Sequence, residues 1–185
     1  MDELIDIVTQ DGQPTGKTAL KSEVHSKGYY HNTAHVWFYT SDGKILLAQR
    51  AATKTICPLL WDVSVAGHVD AGETVEQAAL REVLEEIGVE IKESSLYKVG
   101  IFSCFQAYYN GIVDNEFHYT FIAEFKVNID EVVFNTEEVE AIKLVSISEF
   151  QDLLEGSHNN GHFIASNKTY YLKVLSCIKK KLSSL

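Results

Sequence analysis

Residues 67–89 read GHVDAGETVEQAALREVLEEIGV, from Gly67 to Val89. From Thr74 to Ile87 the pattern is helical, and Gly88 follows at the C′ position, where a positive φ is expected. At about 3.6 residues per turn, Glu82, Glu85 and Glu86 share one helix face. Leu80, Val83, Leu84 and Ile87 fall opposite and supply a buried stripe. Like charges at this spacing destabilise an isolated helix by roughly 0.2–0.5 kcal/mol per pair, and the macrodipole opposes negative charge late in a helix. A generic cluster of this kind is a solvated acidic face. A hard divalent cation changes the account, because oxygen ligands on one face suit Mg²⁺ or Mn²⁺ shared with phosphate oxygens. Gly67 offers a backbone carbonyl with no side chain to block approach. Arg81, four residues before Glu85, can fix its orientation, and Glu73 opens the helix where a carboxylate is favoured.

Outward from this segment the chain alternates strands with a few helices. Leu4 to Val8 is strand-like and is followed by turn chemistry at Asp11 to Gly16; Lys17 to His25 reads as one short helix ending before Gly28. Ala34 to Thr40 and Lys44 to Arg50 read as a hairpin around Ser41-Asp42-Gly43, and Asp62 to Ala66 as a strand leading into Gly67. Leu96 to Ala107 and Glu116 to Val127 are long β-rich runs, and Val139 to Ile147 is a further strand. Ser148 to Leu154 is a short helix, Glu155 to Ser166 a polar loop, and Thr169 to Leu182 a closing helix with Lys179, Lys180 and Lys181 at its negative end. Strands on both sides of one central helix, with a late helix, predict an α/β sandwich around a mixed sheet.

Composition narrows the function classes. With 185 residues and 45% apolar content, one domain over 1–185 is expected, its C-terminal helical segment spanning about 148–185. No stretch approaches the roughly 20 apolar residues of a membrane span, and the N-terminus lacks the pattern of a secretory signal. A formal charge of −10 disfavours holding a nucleic-acid polymer by the overall field. Three widely spaced cysteines, Cys57, Cys104 and Cys177, suggest reduced thiols and a cytoplasmic setting. The expected partner is a small molecule; oligomeric state is not legible.

The 67–89 segment resembles the Nudix box, G-x5-E-x7-R-E-U-x-E-E-x-G-U with U a bulky aliphatic residue. Gly67, Glu73, Arg81, Glu82, Val83, Glu85, Glu86, Gly88 and Val89 meet every defined position. The resemblance implies a Nudix-type α/β/α sandwich and Mg²⁺-dependent cleavage of a diphosphate linkage, in a nucleoside diphosphate derivative or similar small organic diphosphate. It also implies that Gly67, Glu82, Glu85 and Glu86 hold the metal, with Mn²⁺ able to substitute. The general base comes from the box helix or a distant loop in this family, which leaves Glu85 and Glu116 both open.

Over about residues 4 to 150 the chain is similar to the branch containing isopentenyl-diphosphate isomerase and its hydrolase relatives. That likeness implies a second metal site at His25, His31, His68, Asp114 and Glu116. It also implies diphosphate contacts at Lys21, Arg50 and Lys54. Singly, each histidine reads as structural and each cation as solvated surface charge; together they form a ligand set and an electrostatic clamp. The isomerase reaction uses a cysteine where this chain has Ala66, and the box carboxylates are all kept, so isomerase is the alternative reading. A non-catalytic diphosphate-binding module is a further alternative. Of the aromatic residues Tyr97, Phe102, Phe105, Tyr108 and Tyr109, alternation assigns most to the core and one or two near Tyr108 to a substrate wall. The run from His158 to His162 reads as a mobile loop.

Overall fold

The computed structural model describes residues 2–160 and 168–184. Its strands are β1 (Leu4–Val8), β2 (Pro14–Leu20), β3 (Tyr30–Tyr39), β4 (Lys44–Arg50), β5 (Trp61–Asp62), β6 (Val65–His68), β7 (Tyr97–Ala107), β8 (Val113–Glu124) and β9 (Val139–Ser146). The helices are α1 (Lys21–Lys27), α2 (Val75–Ile87), α3 (Ile147–Asn160) and α4 (Lys168–Leu182). β1 and β2 form an antiparallel ribbon, while the other strands make one sheet in the order β5-β4-β3-β8-β7, with β6 added to β3 and β9 to β4. The β3–β8 pair is parallel and the rest of the sheet antiparallel, so the sheet is mixed as expected.

Alternation along β3 shows how the layers arise. Trp37 and Tyr39 face a core completed by Phe150 of α3 and by Tyr171, Val174 and Ile178 of α4. Val36 and Phe38 face the opposite core, filled by Val83 and Ile87 of α2 and by Phe121. Helices therefore cover both faces, the α/β/α arrangement. No helix among the described residues is long and apolar enough to cross a membrane.

Several local expectations change. Pro14 to Leu20 is a strand paired with β1, so the expected helix from Lys17 begins only at Lys21. The turn at Asp11-Gly12 folds this stretch back, and its ladder along Leu4 to Ile7 outweighs a helical pattern of only a few residues. The β3–β4 turn forms as read, with Thr40 N–H bonded to the Lys44 carbonyl at 2.9 Å. Beyond Tyr39 and Ile45 the strands part, because β4 takes β9 and β5 as partners while β3 takes β6 and β8. The single strand expected over Asp62 to Ala66 is two, broken at buried Ser64. Its hydroxyl accepts the Phe38 N–H (2.9 Å) and donates to the Leu46 carbonyl (2.6 Å), stitching β3 to β4.

On α2, Ala78, Ala79, Val83 and Ile87 are buried, whereas Leu84 is 54% exposed and lies outside the stripe. α3 continues through Glu155 to Asn160, where a loop was expected; Leu154 at its middle anchors it in the core. The remainder of that expected loop, including His162, lies outside the described residues. β7 is an edge strand, and Tyr97, Phe105 and Tyr109 are exposed rather than core. Phe102 packs on the core beside Tyr170.

Candidate active site

The chain leaves β6 at His68, turns through Asp70 to Glu73 and enters α2. Thr74 caps the helix: its hydroxyl accepts the Gln77 N–H, and Gln77 Oε1 accepts the Thr74 N–H in return. Gly88 ends the helix at φ 64°, as expected. Glu73 Oε2 accepts the Asp70 N–H at 3.2 Å, closing the turn.

Arg81 locks this turn to the carboxylate face. It donates to Glu73 Oε1 (3.1 Å) and Oε2 (2.9 Å), the His68 carbonyl (2.9 Å), Glu82 Oε1 (2.7 Å) and Glu85 Oε2 (3.1 Å). Burial opposes its charge, but the Glu73 hydrogen bonds and the Glu82 charge raise its pKa above the usual guanidinium value. Arg81 is thus a brace that uses its donors on the protein.

Glu82, Glu85, Glu86 and Gly67 all line one cleft of about 570 Å³. Gly67 is required by contact: a Cβ there would lie 1.9 Å from Glu82 Cδ. Burial pushes Glu82 up to about 7 against the pull of Arg81. Burial, with the charges of Glu82 and Glu138, pushes Glu86 up to about 8. Glu85 is more open, its side chain 57% exposed. Closely spaced carboxyls that resist ionisation fit a site completed by a positive ion, and an all-oxygen donor set fits Mg²⁺ or Mn²⁺.

Lys21, Arg50 and Lys54 line the same cleft. Lys21 Nζ lies 2.9 Å from Glu3 Oε2, Lys54 pairs with Glu138, and Arg50 Nε donates to the Ile56 carbonyl at 3.0 Å. Glu3 and Glu138 belong to no motif, and nothing in the sequence pointed to them.

A second cluster occupies the cleft where α1, β3, β6 and β8 meet. Ligand atoms of His25, His31, His68 and Glu116 all lie within 4.8 Å of one another. His25 Nε2 and His68 Nε2 are 3.1 Å apart, and His31 Nε2 is 3.5 Å from Glu116 Oε1. His31 Nδ1 is 2.9 Å from the Tyr29 carbonyl; its N–H donates there and leaves a bare lone pair on buried Nε2, which has no hydrogen-bond partner. Burial and the Lys21 charge push His68 well down, keeping it neutral. Although burial opposes its charge, the hydrogen bond and the charge of His118 hold Glu116 well below the usual carboxylate range. A neutral His68 ring, an ionised carboxylate and the orphaned His31 nitrogen fit a divalent cation. Asp114 stands outside this group: its Oδ1 lies 2.9 Å from His25 Nδ1, a short contact not aligned as a hydrogen bond. It contacts the outer side of a candidate ligand.

The cleft continues past Glu116 along the same face of β8 to His118. His118 Nε2 is 2.8 Å from Glu116 Oε2, and its ring stacks on His35 with centroids 4.0 Å apart. Burial disfavours its charge, but hydrogen bonds to Cys104 and Glu116 raise His118 to about 9. Tyr170 of α4 closes this end. Its hydroxyl accepts the Trp37 indole N–H at 2.6 Å and lies 2.9 Å from His35 Nδ1. Burial and the neighbouring His118 push His35 well down, so a neutral ring can accept the tyrosine proton. Sequence reading missed Asp62, Cys104, His118 and Tyr170 as cleft residues; only His118 had a signal, two residues beyond Glu116 on the same strand face. Tyr108 lines the cleft as one of the two expected wall aromatics. Cys57 also lines it, whereas Cys177 packs on the α3–α4 core.

A model of the NUDIX domain matches residues 29–166. The chain is 32% identical over 158 residues to an uncharacterised Nudix hydrolase of Clostridium acetobutylicum, covering 83% of this chain and 75% of that protein. It is 32% identical to isopentenyl-diphosphate Delta-isomerase 2 of Photorhabdus laumondii over 85% of each. It is also 32% identical to Nudix hydrolase 3 of Arabidopsis thaliana, but 83% of this chain spans only 20% of that longer protein. The crystal structure of DR0079 from Deinococcus radiodurans superposes with a TM-score of 0.69 at 21% identity, over 92% of this chain and 97% of that one.

Proposed function

The chain belongs to the Nudix family of pyrophosphohydrolases, and on that premise we propose that it hydrolyses the diphosphate linkage of a small organic diphosphate with Mg²⁺. The observation that carries this is the convergence of Glu82, Glu85, Glu86 and Gly67 with Lys21, Arg50 and Lys54 on one cleft. Family members use divalent metal ions; here Glu82, Glu85, Glu86 and the Gly67 carbonyl would hold Mg²⁺, with Mn²⁺ as a substitute. When bound, the ion neutralises phosphate charge and acidifies water.

The remaining work falls to the chain itself. Lys21, Arg50 and Lys54 bind the diphosphate oxygens and stabilise charge on the departing phosphate. Arg81 and Glu73 hold the helix N-terminus and the carboxylates in register. Water attacks one phosphorus, the bridging P–O bond breaks, and two phosphate-bearing products leave. Glu85 is the favoured proton acceptor, because its Oε1 makes no hydrogen bond among the described residues and its largely exposed side chain lines the cleft. Glu116, the other candidate, is engaged by His118 and serves better as a ligand of a second cation with His25, His31 and His68. Asp114 orients His25. All of residues 1–185 are read as one Nudix domain.

The test is phosphate-linked product release across nucleotide and isoprenoid diphosphates, with Mg²⁺ or Mn²⁺, for wild type and Glu85→Gln. Metal-dependent release that falls at least about 100-fold in the variant supports the assignment; near-normal turnover sinks it. The isomerase reading is favoured by the Photorhabdus relative and the histidine cluster. Against it, Ala66 provides no thiol, and Cys104 pairs across from Glu116 in the strand register, on a different strand from Ala66. Conversion of isopentenyl diphosphate to its isomer, without phosphate release, would decide for that reading.

A further inference from the structure

Asp62 ends β5 opposite Ala48 and lines the cleft together with Cys104, His118 and Tyr170. Burial raises its pKa, although the Val63 N–H and the Arg50 charge pull the other way. No side-chain hydrogen bond or ion pair reaches this carboxyl among the described residues. Of its neighbours, Arg50 donates its Nε to the Ile56 carbonyl, His118 bonds Glu116, and the Tyr170 hydroxyl is engaged by Trp37 and His35. The Val63 N–H caps this carboxyl, but a carboxyl group has acceptor sites for several donors. The group lines the cleft where Arg50, His118 and Tyr170 approach it.

We propose that Asp62 is a specificity-determining residue, whose carboxyl group accepts a hydrogen bond from an N–H or O–H on the organic part of the diphosphate. The inference rests on the diphosphate reading of the cleft. A plain alkyl group seated there excludes water from the carboxyl and leaves the acceptor sites that the Val63 N–H does not fill unpaired. A nucleobase or sugar donor satisfies the carboxyl. Loss of one such bond is worth about 10- to 100-fold in selection. The cleft therefore takes a diphosphate with a hydrogen-bonding organic group in preference to an isoprenoid one.

The experiment compares ADP, rich in donors, with isopentenyl diphosphate, which has none outside the phosphates. The readout is the ratio of their kcat/KM values for phosphate release in wild type, Asp62→Leu and Asp62→Asn. Wild type is expected to favour ADP by at least about 10-fold, and Asp62→Leu to lower that ratio by about 10-fold or more. Asp62→Asn keeps an acceptor oxygen at similar volume and should hold the ratio within about threefold. A wild-type ratio at or below one overturns the proposal. So does an Asp62→Leu variant that loses both activities by the same factor. If Asp62→Leu does not fold, Asp62→Ala carries the same expectation. If neither compound is hydrolysed, the hydrolase reading fails on its own. Asp62 is then judged by the calorimetric Kd ratio of the same two compounds with Mg²⁺, on the same criteria.

Discussion

Replacing Gly67 by alanine separates the architecture of the cleft from its chemistry. The added Cβ would stand 1.9 Å from Glu82 Cδ and 2.1 and 2.4 Å from its two oxygens. Ordinary contact begins near 3.4 Å, so the carboxylate must retreat by roughly 1.5 Å or more. It can do so, because Glu82 is the flexible end of a helix side chain and Gly67 is not among the residues with positive φ. The retreat loses the 2.7 Å Arg81–Glu82 bond, a charge-assisted contact worth about 1–2 kcal/mol. Two effects oppose that loss. Alanine restricts the unfolded chain, a gain of about 0.4–1 kcal/mol, and Glu82 escapes a buried place that disfavours its charge. Stability should therefore move by no more than about 1 kcal/mol, a shift of roughly 2–4 °C in Tm. Turnover should fall by about 100-fold or more, as expected when a group that stabilises developing phosphate charge is displaced. Steady-state phosphate release at saturating Mg²⁺, beside thermal unfolding, reads both quantities. Gly72→Ala is the inverse control: at φ 81°, with no atom within 4 Å of where its Cβ would lie, it strains the backbone but touches no carboxylate. Gly67→Ala with near-normal kcat, or with a collapse in Tm, would refute the reasoning.

The carboxyl environments also set a pH response for the metal-free protein. Glu82 and Glu86 keep their protons to about 7 and 8 in the folded chain against an ordinary 4.5, so the folded state binds more protons between about pH 4.5 and 8. Stability should fall by a few kcal/mol, in order of magnitude, as pH rises through that window. His118, raised to about 9, works in the same direction above 6.5, whereas Glu116 withdraws its support as pH falls from 4.5. Urea midpoints in chelator should be lower at pH 8.5 than at pH 5.5, and Mg²⁺ should restore the difference; a higher midpoint at pH 8.5 in chelator would contradict the assignment. His31→Ala should remove one Mn²⁺ equivalent from a calorimetric titration while leaving the carboxylate site, and unchanged stoichiometry would remove the second site. Glu85→Gln, the test of the hydrolase itself, should keep wild-type Tm within a few degrees, because its side chain is largely exposed.

What the sequence disclosed follows from how local each feature is. The α2 segment carries its own stop and ligand spacing, so the Gly88 terminus and the shared face of Glu82, Glu85 and Glu86 were readable directly, whereas the Thr74–Gln77 capping box was not read. Its burial was not: Leu84 satisfies helical periodicity, yet the covering strands meet Ala78, Ala79, Val83 and Ile87, and Glu86 is buried in place of a leucine. Pro14 to Leu20 was misread because its strand character comes from pairing with Leu4 to Val8, a contact that no window on the segment contains. The same holds for the cleft. His31 and Glu116 become neighbours only through the parallel register that sets them opposite each other on β3 and β8. That register also brings in His118, while the α4 contact that places Tyr170 beside it is more distant still. Asp114 has a ligand type in the right stretch of chain, but its oxygen is turned to the back of His25.

The ion pairs of the free cleft divide by how readily they can be exchanged. Arg81 is held by five charge-assisted or carbonyl contacts in a partly buried corner, and removing any one acidic partner leaves the others in place. Its role is consequently fixed whether or not substrate is present. Lys21 and Glu3 are 37% and 41% exposed, and Lys54 and Glu138 are 27% and 39% exposed. Such water-accessible pairs contribute only about 0–1 kcal/mol each. A diphosphate arriving at the cleft can take both ammonium groups from their carboxylates at little cost, and Glu3 and Glu138 return to water without a buried charge left unpaired. On the proposed reading, the two lysine pairs would act as placeholders for phosphate at the place where an acidic chain meets an anionic substrate.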